Sequence, residues 1–168
     1  WTSIGSFAIQ DSSPNVAPSS TSGYGNSTLK RALVDFEPIA DVTAVAIGVT
    51  GWDSSTGTTI TELEVYEADA GAGVDPLPRV EYWHTATEGV ASSDVNQAAA
   101  GTAFASGNIG DEADWGAPNI IDGAYDLVSG NAWLSDSVEA AGGVALAEPS
   151  TIYRIAVSST NSRDVYQR

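Results

Sequence analysis

Apolar and polar positions along this chain alternate in short stretches and seldom fall at helical spacing. Runs rich in Val, Ile, Leu, Phe and Tyr recur as IGSFAIQ (4–10), LVDF (33–36), VTAVAIGVT (42–50), TTITELEVYEA (58–68), VEYWHT (80–85), GVAL (143–146) and TIYRIAVSST (151–160). Clusters of Gly, Ser, Pro, Asp and Asn separate them, the punctuation of strands joined by turns. In the 58–68 run, Ile60, Leu63 and Val65 are set around Glu62 and Glu64, with one slip of phase near Thr61. The best helical candidate, DVNQAAAGTAFA (94–105), is Ala-rich but broken by Gly101. Short strands with turn signals between them predict an all-β sandwich or barrel. SSPNVAPSSTSGYGNST (12–28) reads as a long polar loop, and EADAGAGVDPLP (67–78) as a linker.

A length of 168 residues suits one domain with a core of its own. The 22 acidic residues outnumber the 6 basic ones and leave a net charge of −16. Such a surface repels phosphate backbones and anionic headgroups, which argues against nucleic acid and membrane surfaces as partners. The excess acid is spread through the chain instead of gathered in a tail, as suits a saline or calcium-rich setting. The absence of Cys removes disulfides, thiol nucleophiles, iron–sulfur clusters and thiolate zinc sites together. No apolar run approaches the length of a membrane span, and no cleavable signal is visible. Met is also absent, so the sequence reads as a processed, mature or excerpted product, which favours export.

Catalysis has little to work with. His84 is the one histidine, no G-x-S-x-G elbow surrounds a Ser, and zinc chemistry would need more imidazoles. Phosphate-binding glycine loops are missing. Acids are so numerous that accidental carboxylate pairs are expected on the surface, and they are weak grounds for glycoside hydrolysis. The expectation is a protein that is not an enzyme.

One stretch carries more oxygen-bearing side chains than a turn requires: APNIIDGAYDLVSGNAW (117–133). In its wider setting, GTAFASG, then WGAPNIIDGAYDLVSGNAWLSDS, then GGVALAEPSTIYRIAVSSTNSRD, it resembles the first half of a discoidin domain of the coagulation-factor type C group. WTSIGSFAIQ followed by LKRALVDFEPIADVTAVAIGVTGWDSSTGTTITELEVYEA is similar to the second half. The two halves stand in reversed order: 1–66 resembles the second half, 67–95 is a linker with a possible extra strand at 80–85, and 96–168 resembles the first half. The resemblance implies a jelly-roll β-sandwich, either circularly permuted within one chain or completed by a neighbouring copy. An excerpt from a tandem array would give the same order. RVEYWHTATEG (79–89) is similar to a strand that the family places between the two halves.

The resemblance also implies a structural calcium ion. Its ligands would be Asp122 of the IDG turn, Asp126 with help from Ser129 or Asn131, and Glu62 of TELEVY. Carbonyls near Asn119 and Tyr125 would complete the shell. Independently of any family, calcium takes six to eight hard oxygens from loops rich in Asp, Asn, Ser and Gly, and Gly123 permits a sharp turn. The residues alone allow a plainer reading, in which Asp122 caps an Asp-Gly turn. The spacing is not that of an EF-hand.

Discoidin-type modules bind glycans or proteins, so the implied role is extracellular recognition or adhesion, with a glycan or cell-surface ligand. Trp115 and Trp52 are the candidate aromatic platforms, with Asn161 and Arg163 as polar contacts. Two of them have a structural alternative: Trp115 as a cover for the sandwich end, and Arg163 as a partner of nearby acids. Trp1 and Trp133 match aromatic positions of the family core. The other function class is a structural subunit of a self-assembling extracellular filament or stalk, joined head to tail by shared sandwich domains.

Overall fold

The computed structural model describes residues 1–5, 28–48, 59–67, 79–83, 94–107, 112–125, 132–135 and 140–161; for 28–30, 79–83, 112, 160 and 161 it describes the backbone alone. The fold is all-β with antiparallel pairing throughout. Strands β1 (Thr28–Gly48) and β7 (Ala141–Asn161) form its spine, running from Thr28 opposite Asn161 to Gly48 opposite Ala141. β3 (Glu62–Glu67) lies on the outer side of β7, and β4 (Arg79–Trp83) on the outer side of β1, giving the order β3-β7-β1-β4. β5 (Thr102–Ala105) pairs with the first part of β7, while β2 (Thr59–Ile60) and β6 (Trp133–Leu134) make a separate two-stranded sheet. The helical content described is a single turn, α1 (Glu112–Trp115), with 3-10 turns at Gln97–Ala100 and Ala117–Ile120.

Residues of the two expected halves thus share one sheet within a single chain, and the 79–83 segment adds an edge strand to it. The run 33–36 and the described part of 42–50, residues 42–48, belong to one long strand, as do 143–146 and 151–160. Both strands stay in one ladder through a stretch of irregular pairing. The register slips between Asp35 and Ile39, between Ile39 and Val42, and between Val42 and Ala44. Pro38 and Pro149 fall in these slips, where a missing N–H costs no ladder bond, and Asp41 takes the left-handed conformation (φ 57°). Asp is among the few non-glycine residues that visit it readily.

The phase slip near Thr61 marks where the chain changes sheets. Ile60 pairs with Trp133 in the small sheet, whereas Leu63 pairs with Val157 in the large one. The helical candidate 94–105 resolves into the 3-10 turn and β5, divided at Gly101. A β carbon there would lie 2.6 Å from the Ala145 carbonyl oxygen, so the glycine lets the turn press against β7.

The core lies between the two sheets. Trp133 is fully buried among Ile60, Leu63, Ile120, Val144 and Ile155, and its indole N–H donates to the Gly107 carbonyl at 2.8 Å. That bond lets a large aromatic enter the core without stranding its polar atom. Trp1 instead stands 92% exposed, with its ring 6.3 Å from that of Phe104. No helix among the described residues is long and apolar enough to cross a membrane.

Gly143 occupies the tightest point of the spine. A β carbon would sit 2.2 Å from the Val45 carbonyl oxygen and 2.8 Å from the Phe104 ring. Gly143→Ala is expected to cost about 3 kcal/mol. At Gly48 an added β carbon would meet nothing within 4 Å, so Gly48→Ala should be close to neutral. Urea unfolding of the two variants checks this contrast.

Candidate functional site

β3 is buried on both sides. Leu63 and Val65 enter the core, while Glu62, Glu64 and Tyr66 alternate with them on the opposite face and are also buried. Register shows what shares that face. Glu62 and Arg31 both stand opposite Ser158, Glu64 and Leu33 opposite Ala156, and Tyr66 and Asp35 opposite Arg154. Residues paired across antiparallel strands project to the same side. The outer face of the large sheet therefore carries charge in consecutive rows.

These charges are organised into two clusters. In the first, Arg31 is wholly enclosed, 2.7 Å from Glu64 Oε2. One of its terminal nitrogens donates to the Tyr66 hydroxyl at 3.2 Å, and that hydroxyl donates to Glu64 Oε1 at 2.6 Å. Guanidinium, phenol and carboxylate thus close a ring. In the second, Arg154 donates through Nε and a terminal nitrogen to both oxygens of Asp35, the latter at 3.0 Å. Arg154 also lies 3.9 Å from Asp94 and over the Tyr153 ring. The Asn96 side chain accepts from Val65 N and Ala98 N at 3.0 Å each, closing this edge of β3.

The IDG turn covers the first cluster. Asp122 Oδ1 accepts from Ala124 N at 2.8 Å, an Asx turn, and Gly123 adopts φ 79°, a conformation that favours glycine. This geometry points the Gly123 N–H at Glu62 Oε2, 3.0 Å away and 61 residues distant in sequence. Tyr125 follows, half-buried, with its hydroxyl hydrogen-bonded to Glu64.

Electrostatics single out Glu62. Burial raises its carboxyl from 4.5 to about 8; the Gly123 N–H opposes the rise, while the charges of Glu64 and Asp122 add to it. The phenols of Tyr66 and Tyr125 are held above their ordinary range, first by burial and then by neighbouring carboxylates. The Ser158 and Thr61 hydroxyls are buried with no hydrogen-bond partner among the described residues.

Two expected metal ligands, Glu62 and Asp122, therefore meet at one turn. Asn119 lies just before it, with its side-chain amide nitrogen donating to the Asp114 and Ala132 carbonyls at 3.2 and 3.1 Å. That role braces the turn against Ala132, the residue before Trp133. Asp126, Ser129 and Asn131 lie outside the described residues, and so do Trp52, Arg163 and His84. Trp115 is half-buried at the end of α1, and Asn161 ends β7 opposite Thr28. Among the described residues, no group of three or more His, Cys, Asp or Glu is placed to hold a metal ion. Glu62 and Asp122 alone fall short of the six to eight oxygens that a hard cation takes. Glu62 is desolvated beside like charges, an arrangement that such an ion relieves. Zinc-type donors are absent from the site.

The motif reading missed Arg31, Glu64 and Tyr66, and named Tyr125 for a nearby carbonyl and not for its hydroxyl. The i, i+2, i+4 spacing of Glu62, Glu64 and Tyr66 was a signal, since it places all three on one face of a strand. Comparison with protein-family models, with curated proteins and with solved structures returns no match.

Two predictions follow from the cluster. Arg31→Ala leaves Glu64 enclosed and uncompensated, which should cost about 3–5 kcal/mol. Arg31→Met with Glu64→Gln removes both charges and should recover more than half of that loss, as denaturant unfolding would report. The second concerns pH. In chelator, the folded state holds the Glu62 proton more tightly than the unfolded chain between pH 4.5 and about 8. Its contribution to stability therefore falls as pH rises through that window. Glu62→Gln should match the parent protein near pH 5 and melt several degrees higher above pH 8.

Proposed function

We propose that this protein is an extracellular, non-catalytic recognition module of the discoidin kind, stabilised by calcium and directed at a glycan or cell-surface ligand. The observation that carries the reading is the contact between the IDG turn and the first Glu of TELEVY, made by the Gly123 N–H and Glu62. Two segments far apart in sequence, each carrying the discoidin-like residues, converge on a desolvated carboxylate. Calcium would be held by Glu62 and Asp122, with Asp126, Ser129 and Asn131 as further oxygen donors. It would supply coordination energy that pins the turn to the sheet and offset the repulsion between their charges. The ligand would be met by aromatic and polar side chains, Trp115 foremost, with Trp52, Asn161 and Arg163.

Pairing of β1 with β7 inside one chain favours a closed single domain over head-to-tail assembly. Light scattering, with calcium and then with chelator, tests that choice: a 17.3 kDa particle is expected in both, and an open-ended polymer would give the filament reading precedence. Asp122→Ala should lower the melting temperature by several degrees more in calcium than in chelator, where only the Asx-turn bond to Ala124 is lost. Equal losses in both conditions would remove the metal from the account. On an immobilised glycan panel, Trp115→Ala should abolish whatever retention the parent protein shows, with its melting temperature kept.

A further inference from the structure

We propose that the Asp122–Gly123 link is a modification site, open to isomerisation to isoaspartate through a cyclic imide, and that Glu62 keeps it closed by holding the attacking nitrogen. The chain has one Asp-Gly pair and no Asn-Gly pair. In such a pair the glycine amide nitrogen attacks the Asp Cγ. The N–Cγ bond forms as a Cγ–O bond breaks, and the carboxyl hydroxyl leaves as water with the amide proton. Water then reopens the imide. Cleavage at Cγ restores Asp, whereas cleavage at the α carbonyl sends the main chain through Cβ and Cγ. Glycine is the most permissive partner, because no side chain shields its nitrogen. The inference goes beyond the calcium reading and does not rest on it.

Access and restraint meet at this turn. Asp122 and Gly123 are both exposed. Among the described residues, no atom beyond the chain neighbours lies within 4 Å of where a Gly123 β carbon would stand. Steric shielding is therefore slight, and hydrogen bonds tie the two reacting groups instead. Asp122 Oδ1 accepts from Ala124 N at 2.8 Å, and Gly123 N donates to Glu62 Oε2 at 3.0 Å. Glu62 is buried and belongs to β3, which is paired along β7, so the acceptor does not follow the turn when it moves. The nitrogen reaches Cγ only after leaving Glu62, and the reaction thus reports local opening of the turn. An isoaspartyl link adds one carbon to the main chain. The Asx turn and the Gly123–Glu62 bond cannot both re-form around it, which makes the modification a lasting release of the turn from the sheet.

The test follows isoaspartate at position 122 in the whole chain, held in chelator at neutral pH and read by peptide mapping together with enzymatic isoaspartyl methylation. The folded parent protein should isomerise several-fold more slowly than the same chain unfolded in guanidinium chloride. Glu62→Ala, shown by its melting curve to be folded, should isomerise several-fold faster than the parent. Glu62→Gln keeps an oxygen acceptor and should stay near the parent rate. Equal rates in the folded and unfolded parent overturn the proposal, as does a folded Glu62→Ala that is no faster than the parent. A rise as large in Glu62→Gln as in Glu62→Ala also overturns it, because the acceptor is then not what holds the nitrogen. If Glu62→Ala fails to fold, hydrogen exchange at the Gly123 amide of the parent decides: protection is expected, and exchange at the unfolded rate overturns the lock.

Discussion

The ladder between β1 and β7 is the constraint on which every other element rests. It joins residues more than a hundred positions apart and fixes two faces at once, because a strand's side chains alternate. One face holds Val34, Ile155 and Val157 against the small sheet and Trp133. The other holds Arg31, Asp35, Arg154 and Ser158 in register with the acidic side of β3. A slip of one residue would bury the charges in the core and expose the aliphatic residues. The close approach at Gly143 and the irregular pairing at Pro38 and Pro149 hold that register.

Burying a guanidinium and two carboxylates on the back of a sheet is an unusual use of surface. Paired charges taken out of water contribute little net stability compared with apolar side chains of the same volume. What they supply is definition. The ring of Arg31, Tyr66 and Glu64 has one satisfactory arrangement, and the IDG turn docks beside it through directional bonds, from Gly123 to Glu62 and between Tyr125 and Glu64. Packing forces alone would hold such a turn less exactingly. The cluster ties the IDG turn to β3, and Asn119 ties the residues before that turn to Ala132 beside the core aromatic.

Much of the fold was legible in the sequence. Alternation and turn punctuation give the strands, and the slip at Thr61 anticipates a change of sheet. Continuity of the long strands was not legible, because Pro38 and Pro149 read locally as breaks and only the partner strand shows that they sit at bulges. The Ala-rich stretch before Gly101 read as helix for want of the tertiary contacts that turn it against β7. At the site, Asp122 and Glu62 stood out by motif, and the spacing of Glu64 and Tyr66 was visible. Arg31 was not, since LKRALVDF places a cation in an ordinary strand and nothing local says that the strand will be central. Trp1 matched a core pattern yet lies outside, where no facing layer among the described residues encloses it.

The same long-range ladder shapes how the chain must be made. β1 and β3 both take their central partner from residues 141–161, so neither can settle into the sheet until that segment has left the ribosome. Contacts of such wide sequence separation close slowly, and strands waiting for a partner are the usual seeds of aggregation. The charge of −16 acts during that interval. Mutual repulsion between nascent copies keeps open edges from finding one another before each finds its own partner. The same excess of acid that marks the finished protein thus opposes association between copies while the sheet is still incomplete.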